Sequence, residues 1–287
     1  MVNFILGTAN FSGGYGIASH RNIEDSELRE IITYAQENDI NCFDTAIAYG
    51  EAQAKLGNLL DKSKNIKIDS KIGNKECQTS TLILKSVEES LRNLGVNKLS
   101  TLYLHNPESL LGENQSNVIA GLTKVLDLQL VDFIGVSTYT LKEVIECKKI
   151  FPALTRFQVP ENICDRRLIN SKEMIELVSL KNEINVRSIF LQGLLLMDPQ
   201  LIPNKLEEAK EVISEFDLYS KSCKVSRLDF CIEYAKSIPW VSNLTIGVES
   251  KLQLQEIIKS NYKLNNDWEN RIPKLPEMIV DPRNWTV

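Results

Sequence analysis

Eight short apolar runs alternate with longer amphipathic stretches along this chain, and nothing else in it restricts the fold as strongly. The runs lie at residues 4–7, 41–44, 67–71, 100–104, 132–136, 156–159, 186–191 and 243–246. Helical periodicity fills the gaps at 24–38, 51–61, 79–94, 115–128, 141–149, 171–180 and 204–220, with an extra stretch at 225–237 and a closing one at 250–259. In the third of these, Val87, Leu91 and Leu94 stand at i, i+4 and i+7 among Glu88, Glu89, Arg92 and Asn93, an apolar stripe on a polar helix. Thr79 and Ser80 offer capping oxygens before it, and Gly95 offers a stop after it. Strands separated by helices pair in parallel, and a parallel sheet needs helices over its faces. Eight units favour closure into a (β/α)8 TIM barrel over an open doubly wound sheet, and 287 residues hold the ~250 that such a barrel needs. No Pro/Gly/Ser linker or composition shift divides the chain. It reads as one domain over residues 1–287, with an irregular tail from about residue 260 that wraps back over the barrel.

Composition excludes several function classes. The net charge of −5, from 33 basic and 38 acidic residues, leaves no basic stripe for nucleic acid. No run approaches the ~18 apolar residues of a membrane span. The first residues lack the basic and long apolar regions of an export signal. The six cysteines form no CxxC pair and read as a reduced, cytoplasmic set. Two histidines cannot build a His-rich metal site, so no metal is expected.

Four polar residues stand at or just after the ends of three of the apolar runs. Asp44 and Tyr49 lie in Phe43-Asp44-Thr45-Ala46-Ile47-Ala48-Tyr49-Gly50, Lys71 in Ser70-Lys71-Ile72-Gly73, and His105 in Leu104-His105-Asn106-Pro107. In a parallel barrel the C-terminal strand ends carry the chemistry. A phenol is a weak acid at neutral pH, and a nearby ammonium would lower its pKa. Asp44 would hold that ammonium charged, and an imidazole would orient a carbonyl. Each residue alone has an ordinary explanation: a cap, a rim aromatic, a solvated lysine, a core histidine. Four suitable types in order on consecutive strands make the catalytic reading the better one.

The FDTAxxYG, SKIG and LHxP blocks resemble the catalytic tetrad of the aldo/keto reductases, in the family's order. The resemblance covers residues from about 4 to 257. It implies a barrel that reduces an aldehyde or ketone with NADP, with NAD left open, and with Tyr49 as proton donor. It implies that Ser137, with Thr138 where the family commonly has Asn, and Gln158 hold the nicotinamide carboxamide. Arg187 and Ser188 fall on the segment under the cofactor, and many members place an aromatic residue where Arg187 stands. Gly247, Glu249, Lys251, Gln253 and Glu256 fall at the adenosine-phosphate end. Glu249 would repel a 2′-phosphate or accept from a ribose hydroxyl, and Lys251 could compensate. Apart from the resemblance, no strand-linked GxGxxG is present, which disfavours a Rossmann dehydrogenase.

The pocket mouth is expected to use Phe11, Tyr15 and Asn106. The short, polar segment after His105 points to a small polar substrate, such as a sugar or nucleotide-sugar carbonyl, rather than a large apolar one. Two other functions stay open: a redox-neutral enzyme with a bound nicotinamide cofactor (an epimerase or dehydratase), and a cofactor-binding regulatory subunit with little turnover. The oligomeric state is not legible.

Overall fold

The computed structural model describes residues 2–14, 16–17, 21–264 and 267–285. Among them eight strands form a closed parallel barrel in sequence order: β1 Asn3–Gly7, β2 Cys42–Asp44, β3 Lys67–Ile72, β4 Leu99–Leu104, β5 Val131–Ser137, β6 Leu154–Pro160, β7 Glu183–Arg187 and β8 Asn243–Gly247. β8 returns to β1 along five residue pairs, from Asn3 with Asn243 to Gly7 with Gly247. Helices cover the outside: α1 Asp25–Glu37, α2 Ala52–Leu59, α3 Ser80–Leu94, α4 Glu108–Leu111, α5 Gln115–Asp127, α6 Leu141–Ile150, α7 Lys172–Ser179, α8 Ala209–Cys223, α9 Arg227–Ser237 and α10 Lys251–Lys259.

The capping expected from sequence is present at α3. The Thr79 side chain accepts from Leu82 N at 3.1 Å, and Gly95 ends the helix in the left-handed region at φ 63°. Two boundaries differ from the sequence reading. The seventh strand is Glu183–Arg187, not 186–191. The apolar run continues past the strand, but Ser188 turns at φ 61° and residues Leu191–Leu196 coil into a 3₁₀ turn. The helix expected from residue 204 begins at Ala209, after a 3₁₀ turn at Asn204–Leu206.

The pleat sends alternate side chains to opposite faces. Outward residues such as Phe43, Ile68, Leu102, Leu104, Ile134, Val136 and Phe157 pack with Ile83, Val87 and Leu91 of α3 and with the other helices. Inward residues are largely polar: Asp44, Asp69, Lys71, Thr101, Tyr103, Gln158 and Asn185 are all buried. Gly135 of β5 belongs to this inner surface. A Cβ there would stand 2.5 Å from the Tyr103 ring and 2.7 Å from the Arg156 carbonyl oxygen.

The tail packs on the loops after β5 and β6 and adds short helices, α11 Trp268–Arg271 and α12 Glu277–Val280. Arg166 donates to the carbonyls of Glu269 and Ile272, and Leu275 N donates to Cys164 O at 2.9 Å. All six cysteines are unpaired. Among the described residues no helix is long and apolar enough to cross a membrane, and no three His, Cys, Asp or Glu side chains gather to hold a metal ion.

Candidate active site

β2, β3 and β4 end at one mouth of the barrel, and their last inward residues meet there. Lys71 and Asp44 are 1% and 4% exposed, and Lys71 Nζ donates to Asp44 Oδ2 and, at 3.3 Å, to the Thr45 carbonyl. Gln158 reaches across from β6 and donates Nε2 to Asp44 Oδ1 at 3.0 Å. Both carboxylate oxygens are thus engaged, which is what lets a charge pair remain buried. Tyr49 follows on the 3₁₀ turn Ile47–Tyr49, with Lys71 Nζ 5.3 Å from its ring centroid. His105 directly follows β4, and its ring meets the Tyr49 ring edge to face, with centroids 5.8 Å apart at 85°. The four residues singled out in the sequence converge on one half-buried spot.

Burial, aided by the Lys71 charge, depresses His105 to a pKa of about 4. The imidazole is neutral at pH 7 and keeps one ring N–H to donate to a carbonyl oxygen. Burial and then the Asp44 carboxylate hold the Tyr49 phenol well above its usual range, and the Arg187 charge opposes them.

One layer deeper, Asp69 sits on β3 as the register partner of Asp44. Burial and then the neighbouring Asp44 charge push its carboxyl up to about 7, and its Oδ1 has no hydrogen-bond partner. Below the site Asn243 Nδ2 donates to Asn185 Oδ1 at 2.8 Å, and Asn185 Nδ2 donates to Tyr103 Oη at 2.9 Å.

The opposite side of the mouth carries the residues expected to meet a dinucleotide. Ser137 ends β5 and Thr138 follows it, its N–H donating to Gln158 O at 2.9 Å. The Thr138 hydroxyl oxygen is buried without a partner, and a Cβ on Gly247 would meet open space. Arg187 does not project freely: it donates to Thr138 O at 3.1 Å and Ser188 Oγ at 3.3 Å, and lies 4.2 Å from the Tyr139 ring centroid. Beyond β8, Ser250 caps α10 through Gln253 N, and Gln253 Oε1 accepts from Glu249 N at 2.7 Å. Lys251 Nζ lies 5.5 Å from the Tyr34 ring, and Glu256 is exposed further along α10. Arg21, which sequence reasoning passed over, donates to the Glu249 carbonyl at 3.1 Å and to Glu27 at 2.9 Å. The orphaned Thr138 hydroxyl, the open space at Gly247 and the capped N-terminus of α10 suit a nicotinamide dinucleotide.

The expected substrate residues fare unequally. Phe11 is fully buried in the core, because the turn closed by its N–H to Thr8 O at 3.0 Å folds the ring inward; it offers no surface to a substrate. Tyr15 lies outside the described residues. Asn106 is half-buried immediately after His105. Next to it, the segments after β3 and β4 enclose a small groove lined by Asn74, Cys77, Gln78, Glu108, Ser109 and Asn114, which none of the four tetrad residues lines.

A family model described as the aldo/keto reductase family matches residues 3–275. Among characterised relatives, aldose reductase C of Dictyostelium discoideum is 26% identical over 206 residues, 57% of this chain and 63% of that protein, less than two thirds of its length. D-arabinose 1-dehydrogenase of Saccharomyces cerevisiae is 23% identical, with 89% of this chain and 90% of that one covered. Of the solved structures, a glycerol dehydrogenase from Gluconobacter oxydans shares the fold at TM-score 0.72 and 19% identity, with 98% and 91% of the two chains covered.

Proposed function

The chain belongs to the aldo/keto reductase family, whose reaction is NAD(P)H-dependent carbonyl reduction, and from that premise we propose a carbonyl reductase in which Tyr49 gives the proton. The observation that carries this reading is the meeting of Tyr49 and His105, edge to face at 5.8 Å, over the buried Asp44–Lys71 pair.

Bound cofactor supplies the hydride; Ser137, Thr138 and Gln158 would hold its nicotinamide end, and Gly247 with the start of α10 its phosphate end. The neutral imidazole of His105 donates its N–H to the substrate oxygen and fixes the carbonyl face. Tyr49 keeps its proton throughout the physiological range because burial and Asp44 disfavour the phenolate. It gives that proton up only when the substrate oxygen becomes an alkoxide, a stronger base than a phenolate. Lys71, held by Asp44, lies close enough to stabilise the charge that this leaves on Tyr49.

Lys251, which has no ion pair among the described residues, brings positive charge to the start of α10 and favours NADP over NAD. The substrate is a small polar carbonyl compound, a sugar or nucleotide-sugar, in keeping with the short polar segment after His105 and with relatives named for aldose, arabinose and glycerol. The setting proposed is the cytoplasm, with neither nucleic acid nor membrane as partner. Titrating the protein with NADPH and NADH by tryptophan fluorescence, then measuring turnover of Tyr49→Phe, tests the reading. The variant should bind cofactor normally and lose about 10²–10⁴-fold in kcat; unchanged turnover refutes Tyr49 as donor.

A further inference from the structure

Unlike Lys71 and Arg283, Arg187 has no counter-ion among the described residues. Lys71 is paired with Asp44, and Arg283, 3.8 Å from the same Tyr139 ring that Arg187 faces, is held by Asp281 at 2.7 Å. Arg187 is half-buried at the end of β7, and its contacts are a carbonyl, a hydroxyl and an aromatic face, all neutral. Among the described residues no carboxylate stands within ion-pair distance of it. Those three contacts also fix the guanidinium in place, so its charge is directed rather than averaged over many rotamers. That charge reaches both reacting side chains, opposing the rise in the Tyr49 pKa and adding to the fall at His105.

We propose that Arg187 makes the site selective for the redox state of its cofactor, favouring the reduced dinucleotide over the oxidised one. This rests on the reductase reading above. Oxidised nicotinamide carries a positive charge on its ring, and the reduced ring is neutral. For hydride transfer the ring must come within about 3–3.5 Å of the carbonyl carbon that Tyr49 and His105 hold. It therefore enters the field that already acts on those two groups. An uncompensated guanidinium there disfavours the pyridinium, as any like charge would, while an electron-rich neutral ring is a good neighbour for a guanidinium. In a half-buried site salt screens this effect only weakly. The chain would take up reduced cofactor readily and release oxidised cofactor readily, which is the behaviour of a reductase rather than a dehydrogenase.

The test is direct binding of NADPH, NADP⁺, NADH and NAD⁺, followed by tryptophan fluorescence, to the native protein and to Arg187→Gln, Arg187→Met and Arg187→Lys, each checked for fold by circular dichroism. The native protein should bind the reduced form of its preferred cofactor about ten- to a hundredfold more tightly than the oxidised form. The neutral Gln and Met variants should collapse that ratio severalfold, chiefly by binding the oxidised form better, and Lys should retain most of it. Equal binding of both forms by the native protein, or an unchanged ratio in a folded neutral variant, overturns the proposal, as does a Lys variant that behaves like Gln. Binding of neither form by the native protein overturns the reductase reading itself.

Discussion

The inner and outer faces of the barrel strands obey opposite rules. On the outer face Leu102, Leu104, Ile134, Val136 and Phe157 are fully buried against helices, and dispersion and water exclusion hold them there. On the inner face, where barrels usually carry bulky aliphatic layers, this chain places acids, amides, a lysine and a tyrosine joined by specific hydrogen bonds. The outer face tolerates imprecision in direction but not in volume. The inner face is the reverse: each polar group there is cheap only while its partner stands at the right atom. The site grows out of the inner face, so it inherits that demand for exact partners, and the outer face supplies the rigidity that meets it.

The most damaging way to break this contrast is Asp44→Asn. It leaves Lys71 buried without its counter-charge and should cost about 3–5 kcal/mol in urea unfolding, together with most turnover. If stability stayed near the native value, the inner face would not depend on its pairs as argued. Leu102→Ala probes the outer face. It should cost about 2–5 kcal/mol while cofactor affinity in the folded protein stays within about twofold; a lost site with intact stability would blur the two faces together. The smallest expected effect comes from Asp69→Asn. The Asp69 carboxyl is raised from 3.8 to about 7, so the folded chain holds the proton more tightly than the unfolded one. Its contribution to stability falls as pH rises from about 4 to about 7 and is constant above that. His105, lowered from 6.5 to about 4, contributes the opposite slope between those values and none above 6.5. The Asn variant should therefore gain about 1–3 kcal/mol relative to native when the comparison moves from pH 5 to pH 8. The same difference at both pH values would show that Asp69 does not titrate in this range.

Most of the outer face was legible in the sequence, because volume and periodicity leave a trace at every position. The helix at Val87, Leu91 and Leu94, its Thr79 cap and its Gly95 stop appear where the pattern put them. The tetrad was legible as a set of blocks at strand ends. What escaped was polar and inward. β7 was misplaced because Glu183 and Asn185, which face the barrel interior, read as loop, while the apolar Ile189 and Phe190 beyond it read as strand. Asp69 stood in plain view within β3, but nothing local reveals that Asp44 lies beside it. Arg21 escaped because two of its partners, the Glu249 carbonyl after β8 and Glu27 on α1, are far apart in the chain. The net rise of the Tyr49 pKa escaped for a related reason: spacing shows that a cation is near a phenol, but not how deeply the phenol is buried or that a carboxylate stands beside it.

The residue-by-residue alternation of the two faces also bears on how a chain like this can diverge. Losing or gaining one residue inside β3 would turn Lys71 into the helix layer and bring Ile72 to the mouth, exchanging every assignment on that strand at once. Drift by substitution can proceed on either face separately, but drift in length is barred from the strands and confined to the segments between them. In this lineage new substrate ranges should therefore arise by lengthening and trimming the loops after β1, β3 and β4, with the strands that present the tetrad kept at constant length.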